Sequence, residues 1–132
     1  MLTRIMDMPD NVLGISASGT VTVDDYQTVL IPALEEKLGR MKKLRLLYVL
    51  GDTFDTYTGA ASWEDTKFGL KHFTHLSRIA VVTNVDWIRN SFKVFGFVLP
   101  GDTRVFKTDE EQAARKWISE PGETGKLTFE FL

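Results

Sequence analysis

The spacing of apolar positions changes several times along the chain, and each change marks an element. Leu2 to Met6 alternates weakly, Pro9-Asp10-Asn11 is a turn signal, and Val12-Leu-Gly-Ile-Ser-Ala-Ser18 alternates again. Residues 2–18 therefore read as a β-hairpin. Thr22 and Asp25 stand three apart, the spacing of a reciprocal helix cap. Tyr26, Val29, Leu30, Ala33, Leu34 and Leu38 follow at helical spacing, and Gly39 is placed to end the helix. Pro32 lies inside that run and predicts a kink, because an interior proline removes a backbone donor.

Leu44–Leu50 is almost continuously apolar and reads as a strand covered on both faces. The segment Gly51 to Ser62 reads as a long loop. Ser62 and Asp65 then cap a second helix that runs to about His75. Residues 78–83 form another central strand, and Asn84 caps a third helix of roughly 85–97, ended by Pro100-Gly101. Thr103–Lys107 is a short strand, and Thr108 with Glu111 caps a fourth helix through Ile118. Pro121-Gly-Glu-Thr-Gly125 is a linker, and Lys126–Leu132 alternates like an edge strand. This order predicts an α/β fold: a single-layer mixed, mostly parallel sheet of about five strands flanked by four helices. Residues 1–120 form the domain, with 121–132 as linker and C-terminal strand.

Several strings resemble the SpoIIAA-like family, whose fold is related to the STAS domains of anti-sigma-factor antagonists and transporter tails. They are Gly19-Thr-Val-Thr-Val-Asp-Asp-Tyr26, Pro32-Ala-Leu-Glu35, Trp63-Glu-Asp-Thr-Lys-Phe-Gly-Leu-Lys-His72, Ile79-Ala-Val-Val82 with Trp87, and Ala113-Ala-Arg-Lys-Trp-Ile118. The resemblance implies the same α/β layer and little about activity. It also implies where a phospho-switch would fall, since antagonists of that class carry a serine in an Asp-Ser-Ser-Gly turn before the second helix. Here the region reads Tyr57-Thr58-Gly59-Ala60-Ala61-Ser62, so Thr58 and Ser62 are the candidate phosphate acceptors. Ser62 is equally an ordinary N-cap.

Bulk properties narrow the function classes. The chain has 132 residues, a net charge of −2, 43% hydrophobic residues and no cysteine. That suits one globular domain, argues against nucleic acid as a partner, and excludes disulfide, thiol and thiolate-metal chemistry. The first residues lack a signal-peptide core, and no stretch approaches the about 18 apolar residues of a membrane span. A cytoplasmic location is the expectation.

The chemistry-bearing residues are few. His72 and His75 share a helix but lack further ligands, so no metal and no cofactor is expected. Asp52, Asp55, Glu64 and Asp65 read as turn and helix-start acids, and no catalytic motif appears. A small hydrolase or isomerase using Asp52, Glu64 or His72 is therefore the weakest reading. In the third helix, Trp87, Ile88, Phe92 and Phe95 form one apolar face. Val94, Phe97, Val98 and Leu99 widen it, leaving Arg89 and Lys93 on a narrow polar stripe that gives thin support for peripheral membrane contact.

The turns after two parallel strands emerge at one sheet edge, where open α/β sheets bind ligands. The expectation is a non-catalytic STAS-like module that binds an apolar or amphiphilic small molecule, or a regulatory protein, at that edge. Phe54, Tyr57, Trp63 and Trp87 would supply contact area, and Asp52, Lys67 and His72 would orient a polar group. A phospho-switched interaction protein is the alternative. A homodimer through the third helix or the last strand fits either.

Overall fold

The computed structural model describes residues 1–40, 43–57, 76–95 and 102–121. The expected second helix and the C-terminal strand fall outside the described residues. The strands are β1 (Leu2–Ile5), β2 (Val12–Val21), β3 (Leu44–Tyr57), β4 (Leu76–Thr83) and β5 (Asp102–Phe106). They form one sheet in the order β1-β2-β3-β4-β5. β1 pairs antiparallel with β2 as the predicted hairpin, and the other three pairings are parallel.

Three helices accompany the sheet among the described residues, where the sequence predicts four over the whole chain. The first, α1, begins as an α-turn at Val23–Asp25, becomes π-helical over Tyr26–Leu30, and is α-helical again over Ile31–Leu38. The second, α2, is Asp86–Phe95. The third, α3, is Glu111–Ile118, entered through a 3-10 turn at Thr108–Glu110.

Strand order that follows chain order sends successive right-handed crossovers over the same face. Leu30, Ala33 and Leu34 of α1 and Ile88 of α2 accordingly share one core with Leu13, Ile15, Leu44, Leu46, Leu50, Ile79 and Val81. The opposite face has a smaller core in which Ala114, Trp117 and Ile118 of α3 lie on Val12, Leu47, Val49, Ala80 and Val82. Alternation does this sorting: residues 44, 46 and 50 of β3 face α1 and α2, while 47 and 49 face α3. Each fully buried Leu or Ile contributes about 1.5–3 kcal/mol relative to exposure.

The start of α1 matches its sequence signal. The Thr22 N–H and hydroxyl donate to Asp25 Oδ2 at 2.8 and 3.0 Å, and the Asp25 N–H donates to Thr22 Oγ1 at 3.2 Å. Pro32 is absorbed by the π-turn: the Ile31 N–H reaches back to the Tyr26 carbonyl, and the proline lies in the first turn of the following α-segment, where its missing donor matters least. The helix ends at Leu38 as expected, but Gly39 stays right-handed (φ −64°) and bonds the Glu35 carbonyl, so it acts without the left-handed geometry common at helix ends. Lys37 is buried and donates to the Asp10 carbonyl at 2.8 Å, tying α1 to the hairpin turn. Burial, then the nearby charges of Arg4 and Arg40, hold its ammonium below the ordinary lysine range.

The loop expected from Gly51 is instead strand as far as Tyr57. β2 is long enough to pair with it, through Gly19↔Phe54, Thr20↔Thr56 and Val21↔Tyr57. Two register shifts around Gly19 carry the pairing past the polar Gly51-Asp52-Thr53 stretch that resembles a turn in sequence.

Candidate functional site

Past Leu50, which is level with Thr83, β3 continues alone beside β2 while β4 ends. The carboxyl edge of the sheet is therefore a step. Along the overhang of β3, Phe54 is buried between exposed Asp52 and Thr53 on one side and exposed Asp55 and Thr56 on the other. Phe54 belongs to the core that also contains Val21 and Leu30. Tyr57 closes the strand opposite Val21, roughly 20 Å along β3 from the level of Leu50. Of the four aromatics expected to converge, Phe54 is buried and Trp87 exposed, while Trp63 falls outside the described residues. Thr58, Ser62, Trp63, Lys67 and His72 lie outside the described residues.

At the inner corner of the step, β4, β5, α2 and α3 meet through short polar contacts. Thr83 is fully buried; its hydroxyl accepts the Val85 N–H at 3.1 Å, and its carbonyl accepts Arg89 Nη1 at 3.0 Å. Arg89 is thereby committed to the end of β4, which weakens its assignment to lipid headgroups. Asn84 and Thr108 bond reciprocally: Asn84 Nδ2 donates to Thr108 Oγ1 at 2.7 Å, and the Thr108 N–H donates to Asn84 Oδ1 at 3.1 Å. The sequence assigned each of these two as a cap of its own helix. Instead they clamp the two turns together, and Glu110 takes the capping role by accepting the Lys107 N–H at 2.8 Å. No single-segment motif announces such a pair, because its members are 24 residues apart.

Trp87 stands beside this clamp on the first turn of α2 and is 56% exposed. Ile88 is buried, and Val85 and Phe92 pack against the core, so the apolar face of α2 excludes Trp87. Of the predicted site residues, Trp87 and Asp52 are the two whose side chains the structure places at the surface of the carboxyl edge. Among the described residues, no three His, Asp or Glu side chains gather in a way that would hold a metal ion. Nor is any described helix long and apolar enough to cross a membrane.

The amino end of the sheet carries a feature that sequence reasoning missed. Arg45 and Arg78, both buried, are register partners on β3 and β4. Arg45 Nη1 donates to the carbonyls of Ile118 (3.0 Å) and Glu120. Arg78 Nη1 donates to the Trp117 carbonyl at 2.7 Å and to Glu120 Oε1 at 3.0 Å. The Trp117 ring lies against the guanidinium of Arg78 at 5.1 Å and that of Arg104 at 4.7 Å. The available signal was an arginine inside each apolar strand run, Leu44-Arg-Leu-Leu and Leu76-Ser-Arg-Ile.

A sequentially ordered mixed sheet, with two described helices on one face and the last helix on the other, defines a STAS-related α/β module. The profile of the SpoIIAA-like family matches residues 12–119, and the chain belongs to that family. The fold is shared with an uncharacterised protein of the DUF3478 family from Shewanella loihica PV-4, whose 2.25 Å crystal structure has a SpoIIAA-like fold. The two are 24% identical and superpose with a TM-score of 0.69 over 89% of this chain and 93% of that one. No curated protein matches the sequence.

Proposed function

We propose that this chain is a non-catalytic binding module whose working surface is the inner corner of the carboxyl edge. Trp87 provides the apolar contact there, and the Asn84–Thr108 pair with Asp52 provides polar ones. The occupant is an apolar or amphiphilic group, carried by a small molecule or by a protein partner that includes a second copy of this chain. The observation that carries the reading is the exposure of Trp87. A large aromatic held outside the core, at the end of parallel strands and beside groups fixed by short hydrogen bonds, is the kind of anchor binding surfaces use.

Native mass spectrometry of the chain purified under gentle conditions tests this, with Trp87→Ser run in parallel. A bound mass or a second chain present on wild type and lost from the variant supports the reading. A wild-type chain that is bare and monomeric, or an adduct that Trp87→Ser retains, overturns it.

A further inference from the structure

The charged row at the amino end of the sheet runs beyond the two arginines. Arg45 pairs in register with Arg78, and Arg78 pairs in register with Asp102. Register partners in a parallel sheet project to the same face, and this is the face that α3 covers. Arg78 is 2% exposed; its Nη1 donates to the Trp117 carbonyl and Glu120, and the Trp117 ring lies against its guanidinium. Its Nε is buried without a hydrogen-bond partner, and Asp102 Oδ2 is likewise buried without one. An unused donor and an unused carboxylate oxygen therefore stand on neighbouring strands of one row. Thr103 Oγ1 and Trp117 Nε1 nearby are likewise without partners, and buried polar atoms of this kind call for an explanation.

We propose that Arg78 is a two-position latch for α3. In the position described, the guanidinium holds the helix down through the Trp117 carbonyl and Glu120. In the second position it turns to Asp102, leaving the C-terminal end of α3 held by Arg45 alone and easier to open. The alternative carboxylate lowers the cost of opening, because a buried guanidinium left with no counter-charge would be heavily penalised.

The rest of α3 fits a releasable cover. It is eight residues long and contributes three buried side chains to the smaller core. Its N-terminal entry stays fixed by the Asn84–Thr108 pair, while its far end depends on Arg45 and Arg78. A helix this short does not persist in water once detached, so opening exposes its amides to exchange.

Hydrogen exchange of the full chain, followed by mass spectrometry at the amides of Arg115 to Ile118, reads the latch directly. Glu120→Gln weakens the closed position and should speed exchange there by about tenfold without affecting β2 and β3, as a local opening requires. Asp102→Asn weakens the open position and should slow the same amides. In the Glu120→Gln background, where opening dominates exchange, adding Asp102→Asn should restore several-fold protection. A purely structural Asp102 gives the opposite sign. The latch is overturned if Asp102→Asn leaves these amides unchanged or faster in that background. It is also overturned if Glu120→Gln speeds α3 and the central strands alike.

Discussion

Gly19 and Phe54 are register partners at the point where β2 and β3 lose and regain step. Gly19 has φ +57°, the one positive φ among the described residues, and Phe54 opposite it enters the main core. The left-handed glycine carries β2 through its irregularity, and the resumed pairing fixes which face Phe54 takes. A one-residue slip here would turn Phe54 outward and Asp55 inward.

Phe54→Ala should cost about 3 kcal/mol, the price of emptying a core aromatic site. Gly19→Ala should cost about 1–2 kcal/mol for a different reason: nothing lies within 4 Å of an added Cβ, so the loss is backbone strain alone. Urea denaturation of both variants checks the two values. Equal stability of Gly19→Ala and wild type would mean the register shift does not depend on the left-handed residue.

Gly14 makes the opposite case. A Cβ there would sit 2.8 Å from Ile5 Cβ, its partner across the β1–β2 pair. Gly14→Ala should therefore lose about 1–3 kcal/mol by overpacking. Ile5→Ala should not rescue it, because the clash is with the Cβ that alanine keeps. The double variant, measured by thermal melting beside each single one, distinguishes this from a cavity-type loss.

The opening hairpin, both central strands and the capped start of α1 are legible because each rests on local periodicity or on a cap within four residues. The predicted loop at Gly51 was misread because Gly-Asp-Thr has turn composition, while the partner that makes it a strand lies more than thirty residues earlier at Gly19–Val21. Asn84 and Thr108 failed the same way, since each looks like a cap when its own segment is read alone. Arg45 and Arg78 were visible as residues but not as a pair, because adjacency on β3 and β4 is a property of register.

Trp87→Ser should leave folding stability within about 0.5 kcal/mol of wild type, as expected for a surface position, while removing any adduct or second chain seen by native mass spectrometry. Ile88→Ser, one residue on, should instead destabilise the fold, because Ile88 is 3% exposed. Chemical denaturation of the pair separates binding loss from unfolding. A large stability loss in Trp87→Ser would place that ring in the core and remove the basis for the proposed surface.

Asp25 sets an acid-side dependence of stability. Burial pushes its carboxyl upward, but hydrogen bonds from the Thr22 backbone and hydroxyl outweigh this. With the Met1 ammonium 3.4 Å away, they hold it below the ordinary aspartate range. The folded form thus binds its proton less readily than the unfolded form, whose aspartates titrate near about 3.9. The resulting stabilisation is fully present above that value and is lost as pH falls through the lower, folded-state value. Asp25→Asn should therefore be less stable than wild type at pH 7, with the difference shrinking below about pH 4. Thr22→Ala should cost about 1 kcal/mol at neutral pH, the usual worth of an N-cap, and should flatten the same acid limb. Urea titrations of the three proteins between about pH 3 and pH 7 measure this. A constant gap between wild type and Asp25→Asn across that range would show that the cap acts without its charge.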